Sequence, residues 1–185
     1  ATLKISRSEG GPAIQASYWA PSGVRGKKAT KVVVLCSGDT ASAPPDSEGK
    51  PANLPSSLLE HGLAVLRVDR FSTGTPTNQF ASFYSTYNRT ELQERVRDLL
   101  TVCAAAGSGA DPHGQRFRDV ILWGSGRAGL WALLAAPGAG TVVADCDQLD
   151  VASDEALLAP DLLCPGIRNI GTFEGAAMLA APHPI

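Results

Sequence analysis

The chain has 185 residues, 44% of them hydrophobic and 18% charged, with a formal net charge of −2. This profile describes one globular domain, residues 1–185, with a single sizeable core. It lacks the basic footprint that nucleic acid or an anionic membrane surface requires, and no apolar run approaches the roughly 20 residues that span a bilayer.

Residues 3–6 and 14–20 read as a leading hairpin, the second strand placing Ile14, Ala16 and Tyr18 on one face and Gln15 and Ser17 on the other. Residues 31–36 (KVVVLC) form a continuous β-branched run, the pattern of a strand buried on both faces of a parallel sheet. After a loop rich in Pro, Gly and Ser, a short helix is expected over 54–61, ended by Gly62, and the next strand over 63–68. A long loop follows over 69–87. The clearest helix is predicted for 90–106: Thr90 and Gln93 make a capping box, and Leu92, Val96, Leu99, Leu100 and Cys103 share one apolar face. Then come a strand at 119–123, a helix at 127–136 and a strand at 141–144. Residues 145–171 read as irregular, with one short helix from Ser153, and 172–181 as a last helix. Residues 182–185 look like the approach to a further strand. Strands alternating with helices predict a mainly parallel sheet with helices on both faces, truncated at its C-terminal strands.

The cysteines, Cys36, Cys103, Cys146 and Cys164, include no C-x-x-C pair and no histidine at metal-site spacing, so no metal is expected. Cys36 and Cys103 read as small core residues. Cys146 and Cys164 bracket one loop and are either free thiols or, in an oxidising compartment, a disulfide.

Chemistry concentrates at 120–136 (VILWGSGRAGLWALLAA), where a buried strand turns through a glycine-dense corner into an apolar helix. Such a corner aims helix N-terminal amides at whatever occupies it. Two architectures use it. In the register G-x-S-x-G the tip carries a nucleophile, and that tip is Gly126, which has no hydroxyl. In the register G-x-G-x-x-G, Gly124, Gly126 and Gly129 would cradle a pyrophosphate, with Asp145 about 20 residues on as the ribose-binding carboxylate. Only a short chain follows Asp145, and the corner comes after two earlier buried strands, which favours the first register. A third reading is structural: the corner needs these glycines for its bend and close packing whether or not anything binds.

The segments RVDRFSTG (67–74), FYSTYNRTELQERVRDLLT (83–101), GSGRAGLWALLAA (124–136) and LCPGIRNIGTFEGAAMLAAPHP (163–184) carry a resemblance to the α/β-hydrolases, and within them to bacterial acetyl-xylan-esterase-like proteins. The resemblance covers nearly the whole chain. It implies ester hydrolysis by a serine, a histidine held by an acid, and an oxyanion hole of backbone N–H groups, with no cofactor. Position by position, the nucleophile falls on Gly126. Ser125, one residue early, is the substitute candidate, but Trp123 and Arg127 would then stand where a tight elbow wants small residues. The Arg127 N–H falls on one oxyanion donor position, and the loop Ser37-Gly38-Asp39 on the other, with Gly38 as donor. Asp145 and Asp147 are candidates for the acid or else solvated loop carboxylates. His61 ends a surface helix and His113 lies in a polar loop. His183, before the further strand, is the candidate base, although the resemblance places that histidine after a final strand beyond Ile185.

The expected protein is therefore an acetyl-xylan-esterase-like domain with a glycine elbow, non-catalytic and serving structure, assembly or carbohydrate-ester binding. Another chain or further segment is expected to complete its sheet. On this reading Tyr84, Tyr87 and the 71–83 loop cover the old pocket mouth, their rings plugging core gaps. The alternatives are a carboxylesterase using Ser125 or residues from elsewhere, and a dinucleotide-binding domain. The resemblance implies secretion or a bacterial periplasm.

Overall fold

The computed structural model describes residues 1–21, 29–38, 54–74, 76, 78–109 and 114–181. In chain order its elements are β1 (Thr2–Ile5), β2 (Ile14–Trp19), β3 (Lys31–Ser37), α1 (Leu54–Glu60), β4 (Ala64–Arg70), α2 (Tyr84–Tyr87), α3 (Glu91–Ser108), β5 (Asp119–Ser125), α4 (Arg127–Leu134), β6 (Thr141–Asp145), α5 (Asp154–Leu157) and α6 (Thr172–Ala180). The strands form one sheet in the order β1-β2-β4-β3-β5-β6. β2 runs antiparallel to both of its neighbours, β1 and β4, and β4, β3, β5 and β6 run parallel.

The valine run behaves as its composition requires. Val32, Val34 and Cys36 of β3 face a large core that includes Leu66, Leu99, Leu122 and Trp131. Val33 and Leu35 face the other way, joining Val65 in a smaller cluster against Leu58 and Leu59 of α1. The sheet therefore carries helices on both faces, as expected: α3, α4 and α6 on the larger core, α1 on the smaller. The predicted hairpin is also present, with Leu3 opposite Ala16 and Ile5 opposite Ile14.

Helix α3 starts where its cap dictates. The Thr90 side chain accepts from the Gln93 N–H, the Gln93 side chain accepts from the Thr90 N–H, and Gly109 ends the helix at φ 97°. Leu92, Leu99, Val102, Cys103 and Ala106 lie on its buried side. The expected helix over 127–136 stops at Leu134 and continues as a 3-10 turn, Ala136–Gly138. Pro137 is the reason, because it has no N–H to extend the ladder. Helix α2 was not expected within the 69–87 loop.

One polar cluster crosses the core. Asp98 of α3 is fully buried. It accepts from the Ser72 N–H at 2.7 Å and the Ser72 hydroxyl at 2.8 Å, and it pairs with Arg7. Arg7 also reaches Glu94 at 3.4 Å. Beside it, Arg95 donates to Glu91 and to the Thr73 carbonyl and stacks over Phe71, 4.5 Å from the ring centre. These bonds tie the β1–β2 connection and the residues after β4 to α3.

Candidate active site

Strand β5 ends at Ser125 and α4 begins at Arg127, so a single residue, Gly126, makes the bend. It sits at φ 60°, ψ −133°, a backbone region that residues with a side chain enter only under strain. A Cβ built there meets nothing within 4 Å. The apex is sterically open and merely lacks a side chain.

The neighbouring glycines have the opposite character. A Cβ on Gly124 would lie 2.2 Å from the Ala128 carbonyl oxygen, and one on Gly129 would lie 2.9 Å from the Asp145 carbonyl oxygen. A Cβ on Gly38 would stand 2.9 Å from the Arg127 nitrogen. Gly124 and Gly129 thus let α4 press against β5 and the end of β6, and Gly38 lets the end of β3 meet the first turn of α4. Close backbone packing accounts for these three.

Ser125 belongs to the sheet. It is the register partner of Ser37 on one side and Asp145 on the other. Along β5, Val120, Leu122 and Gly124 are buried toward α4, and the period-two alternation sends Ser125 with Ile121 and Trp123 to the opposite face. Asp145 is exposed, and its carboxylate accepts the Asp147 N–H at 3.2 Å. Asp147 is exposed in a left-handed turn, φ 49°. The N–H groups of Arg127 and Ala128, in the first turn of α4, have no acceptor within the helix. The Gly38 N–H donates to the Ser125 carbonyl at 3.2 Å, so it is engaged between β3 and β5.

His61 is exposed, its Nδ1 2.8 Å from the Ser57 carbonyl. It precedes β4, at the end of the parallel strands opposite to the elbow, roughly 20 Å away by strand length. Asp39, His113 and His183 lie outside the described residues. Among the described residues no imidazole approaches the apex, and no cluster of His, Cys, Asp and Glu with metal-ligating potential forms. No described helix is long and apolar enough to cross a membrane.

The wall beside α4 is built by residues that sequence patterns do not reveal. Arg127 pairs with Asp161 at 2.7 Å, and the Trp131 indole donates to the Asp161 carbonyl at 2.9 Å. Gln79, buried, donates to the Pro160 carbonyl at 2.9 Å and accepts the Glu91 N–H. The Thr90 hydroxyl donates to the Leu163 carbonyl at 2.6 Å. Residues 160–163 are thereby held between α4 and α3. The capping box pointed to Thr90; Gln79 and Asp161 carried no local signal.

The aromatic expectation needs correcting. Phe71 does plug the core, edge-on to Trp131 at 5.6 Å. Phe80, Phe83 and Tyr87 do not: they stand out in solvent on an anchored segment. The anchors Gln79 and Thr90 are buried and Tyr84 is half-buried, while the other three rings between them stay exposed.

All four cysteines are free thiols. Cys36 and Cys103 are buried as expected. Burial, and then the neighbouring Cys103, pushes the Cys36 thiol far up, while burial alone raises Cys103 to about 12. Cys146 and Cys164 are half-buried and also raised by desolvation.

Comparison of the sequence with protein-family models and with curated proteins finds no match. The fold has many counterparts. Est1E from Butyrivibrio proteoclasticus matches 77% of this chain at TM-score 0.52 and 16% identity, over 49% of its own length. The dienelactone hydrolase of Anabaena variabilis matches 77% at TM-score 0.50 and 20% identity, over 60% of its length. The esterase Pf2001 of Pyrococcus furiosus matches 79% at TM-score 0.50 and 15% identity, over 48% of its length. The chain thus spans about half to three-fifths of these proteins. With the strand order β1-β2-β4-β3-β5-β6 and a one-residue elbow between β5 and α4, the chain has the α/β-hydrolase fold.

Proposed function

We propose that this chain is an acetyl-xylan-esterase-like hydrolase domain that has kept its elbow and lost its nucleophile, and that it binds or assembles without cleaving. One observation carries this reading. Gly126 holds the strained bend conformation with open space where a side chain would project. A glycine needs no such open space, whereas a nucleophile does. The first-turn amides of α4, which have no acceptor within the helix, are donors for a carbonyl or carboxyl oxygen on this reading. The ligand on this reading is a carbohydrate ester, held through its acyl oxygen. No cofactor takes part: packing already accounts for Gly124 and Gly129, so nothing in the corner requires a dinucleotide. We further propose that the open edge of β6 takes a strand from another chain or from a further segment of the same polypeptide.

The test is labelling with a fluorophosphonate probe alongside turnover of p-nitrophenyl acetate. The chain should give neither, and Gly126→Ser should remain folded. Probe labelling or turnover that disappears in Ser125→Ala would establish the carboxylesterase alternative instead.

A further inference from the structure

The segment between Gln79 and Thr90 displays rings that the fold does not use. Phe80 is 58% exposed, Phe83 78% and Tyr87 85%. The display is not loose chain. Both ends are anchored by buried side chains, α2 runs between them, and Phe83 takes a left-handed conformation, φ 64°. A bulky residue holding that conformation while exposed points to a role for its position. The Gln79–Pro160 bond sets a second exposed apolar stretch, Leu158 and Pro160, beside the rings.

Area and charge together decide what this surface fits. A Phe or Tyr side chain offers about 150–250 Å², so the rings with Leu158 and Pro160 leave roughly 600 Å² of apolar surface uncovered. Monomers rarely expose more in one patch. Doubled across a twofold axis, it reaches the ~1,200 Å² at which stable protein interfaces begin. Residues 78–89 (NQFASFYSTYNR) carry a single charge, Arg89, and that charge faces Glu94 at 3.7 Å. Beside Leu158 and Pro160, Asp154 pairs with Arg168 and Asp161 with Arg127, which leaves Glu155 as the one carboxylate there without an ion pair among the described residues, so two identical copies can meet here with little like-charge repulsion. Rigid aromatics interleaved with Ser, Thr and Asn are also the composition of protein-binding surfaces. A nucleic acid stacked on the rings would need a basic groove that this segment lacks.

We infer that the 80–87 segment, with Leu158 and Pro160, is a self-association face through which two copies of the chain pair about a twofold axis beside the mouths of their elbows. Pairing here is independent of whether the elbow cleaves anything, and it uses residues other than those of the β6 edge.

Sedimentation velocity across a concentration series tests it, with the chain, F83D/Y87D and, for the β6 edge, V143P. Aspartate tolerates the left-handed conformation, and both rings are exposed, so thermal unfolding of F83D/Y87D should match the parent. The parent should sediment as twice 19.2 kDa. F83D/Y87D should raise the dimer dissociation constant at least about tenfold, the loss expected for removing interface anchors, and V143P should leave it unchanged. A parent that stays monomeric at about 100 μM, well above weak-dimer range, overturns the proposal. So does a dimer that survives F83D/Y87D, or one that only V143P disrupts.

Discussion

The backbone N–H of Gly38 donates to the carbonyl oxygen of Ser125 at 3.2 Å, carrying the pairing of β3 and β5 one step beyond the register partners Ser37 and Ser125. Ser125 is thereby held as the last rung of a ladder. Its neighbour alone is free to bend, which is why the elbow turns at Gly126 and not one residue earlier.

The glycines around that bend should separate sharply by substitution. Gly124→Ala forces a methyl to 2.2 Å from a backbone oxygen and should cost more than about 3 kcal/mol, above the usual range for overpacking. Gly126→Ala meets no atom and should cost only conformational strain, about 1–3 kcal/mol. Urea unfolding midpoints rank the two; equal losses would mean that the apex is as crowded as its neighbours.

Asp98→Ala removes the nearest carboxylate from the largely buried Arg7, leaving it Glu94 at 3.4 Å, and strips Ser72 of its acceptor for both N–H and hydroxyl. A loss of about 3–5 kcal/mol is expected. Pairing it with Arg7→Met should recover about 0.5–3 kcal/mol through the coupling between contacting sites. A double variant no more stable than the additive sum would show that the pair is not coupled.

Alkaline conditions should weaken the fold through its buried thiols. Folding raises both Cys36 and Cys103 above the ordinary thiol value of 9.0. Their contribution is complete below pH 9, where both states hold the protons. Above it the unfolded chain loses protons that the folded chain keeps, so stability falls, by up to about 1.4 kcal/mol per pH unit for each thiol. For Cys103 the decline ends near pH 12. Cys36→Ala and Cys103→Ala should each flatten the slope of stability against pH between 9 and 11 by about one proton.

Thr90 both caps α3 and donates to the Leu163 carbonyl. Thr90→Ala should cost about 1–2 kcal/mol as a lost cap. It should also speed hydrogen exchange selectively across residues 158–166. Uniform acceleration over the whole chain would mean that the residue only stabilises the helix.

Much of the fold was legible because its signals are local. The β-branched run of β3, the alternation of β2 and the Thr90–Gln93 box each name one element by composition alone, and the glycine corner located the elbow. What escaped was long-range. Nothing near Arg7 announces Asp98, which lies 91 residues away, and Asp161 finds Arg127 only once the chain has folded. The exposed rings escaped for another reason: apolar composition predicts burial, and here the buried positions went to the polar anchors Gln79 and Thr90.

The requirements at the corner are divided between residues. Gly38, Gly124 and Gly129 secure the joint between sheet and helix by close packing, whereas position 126 supplies the bend conformation and has open space around it. Close packing and side-chain identity at the corner are therefore set by different residues. A side chain can be placed at the apex at the cost of backbone strain alone, while one at the flanking positions would dismantle the bend itself.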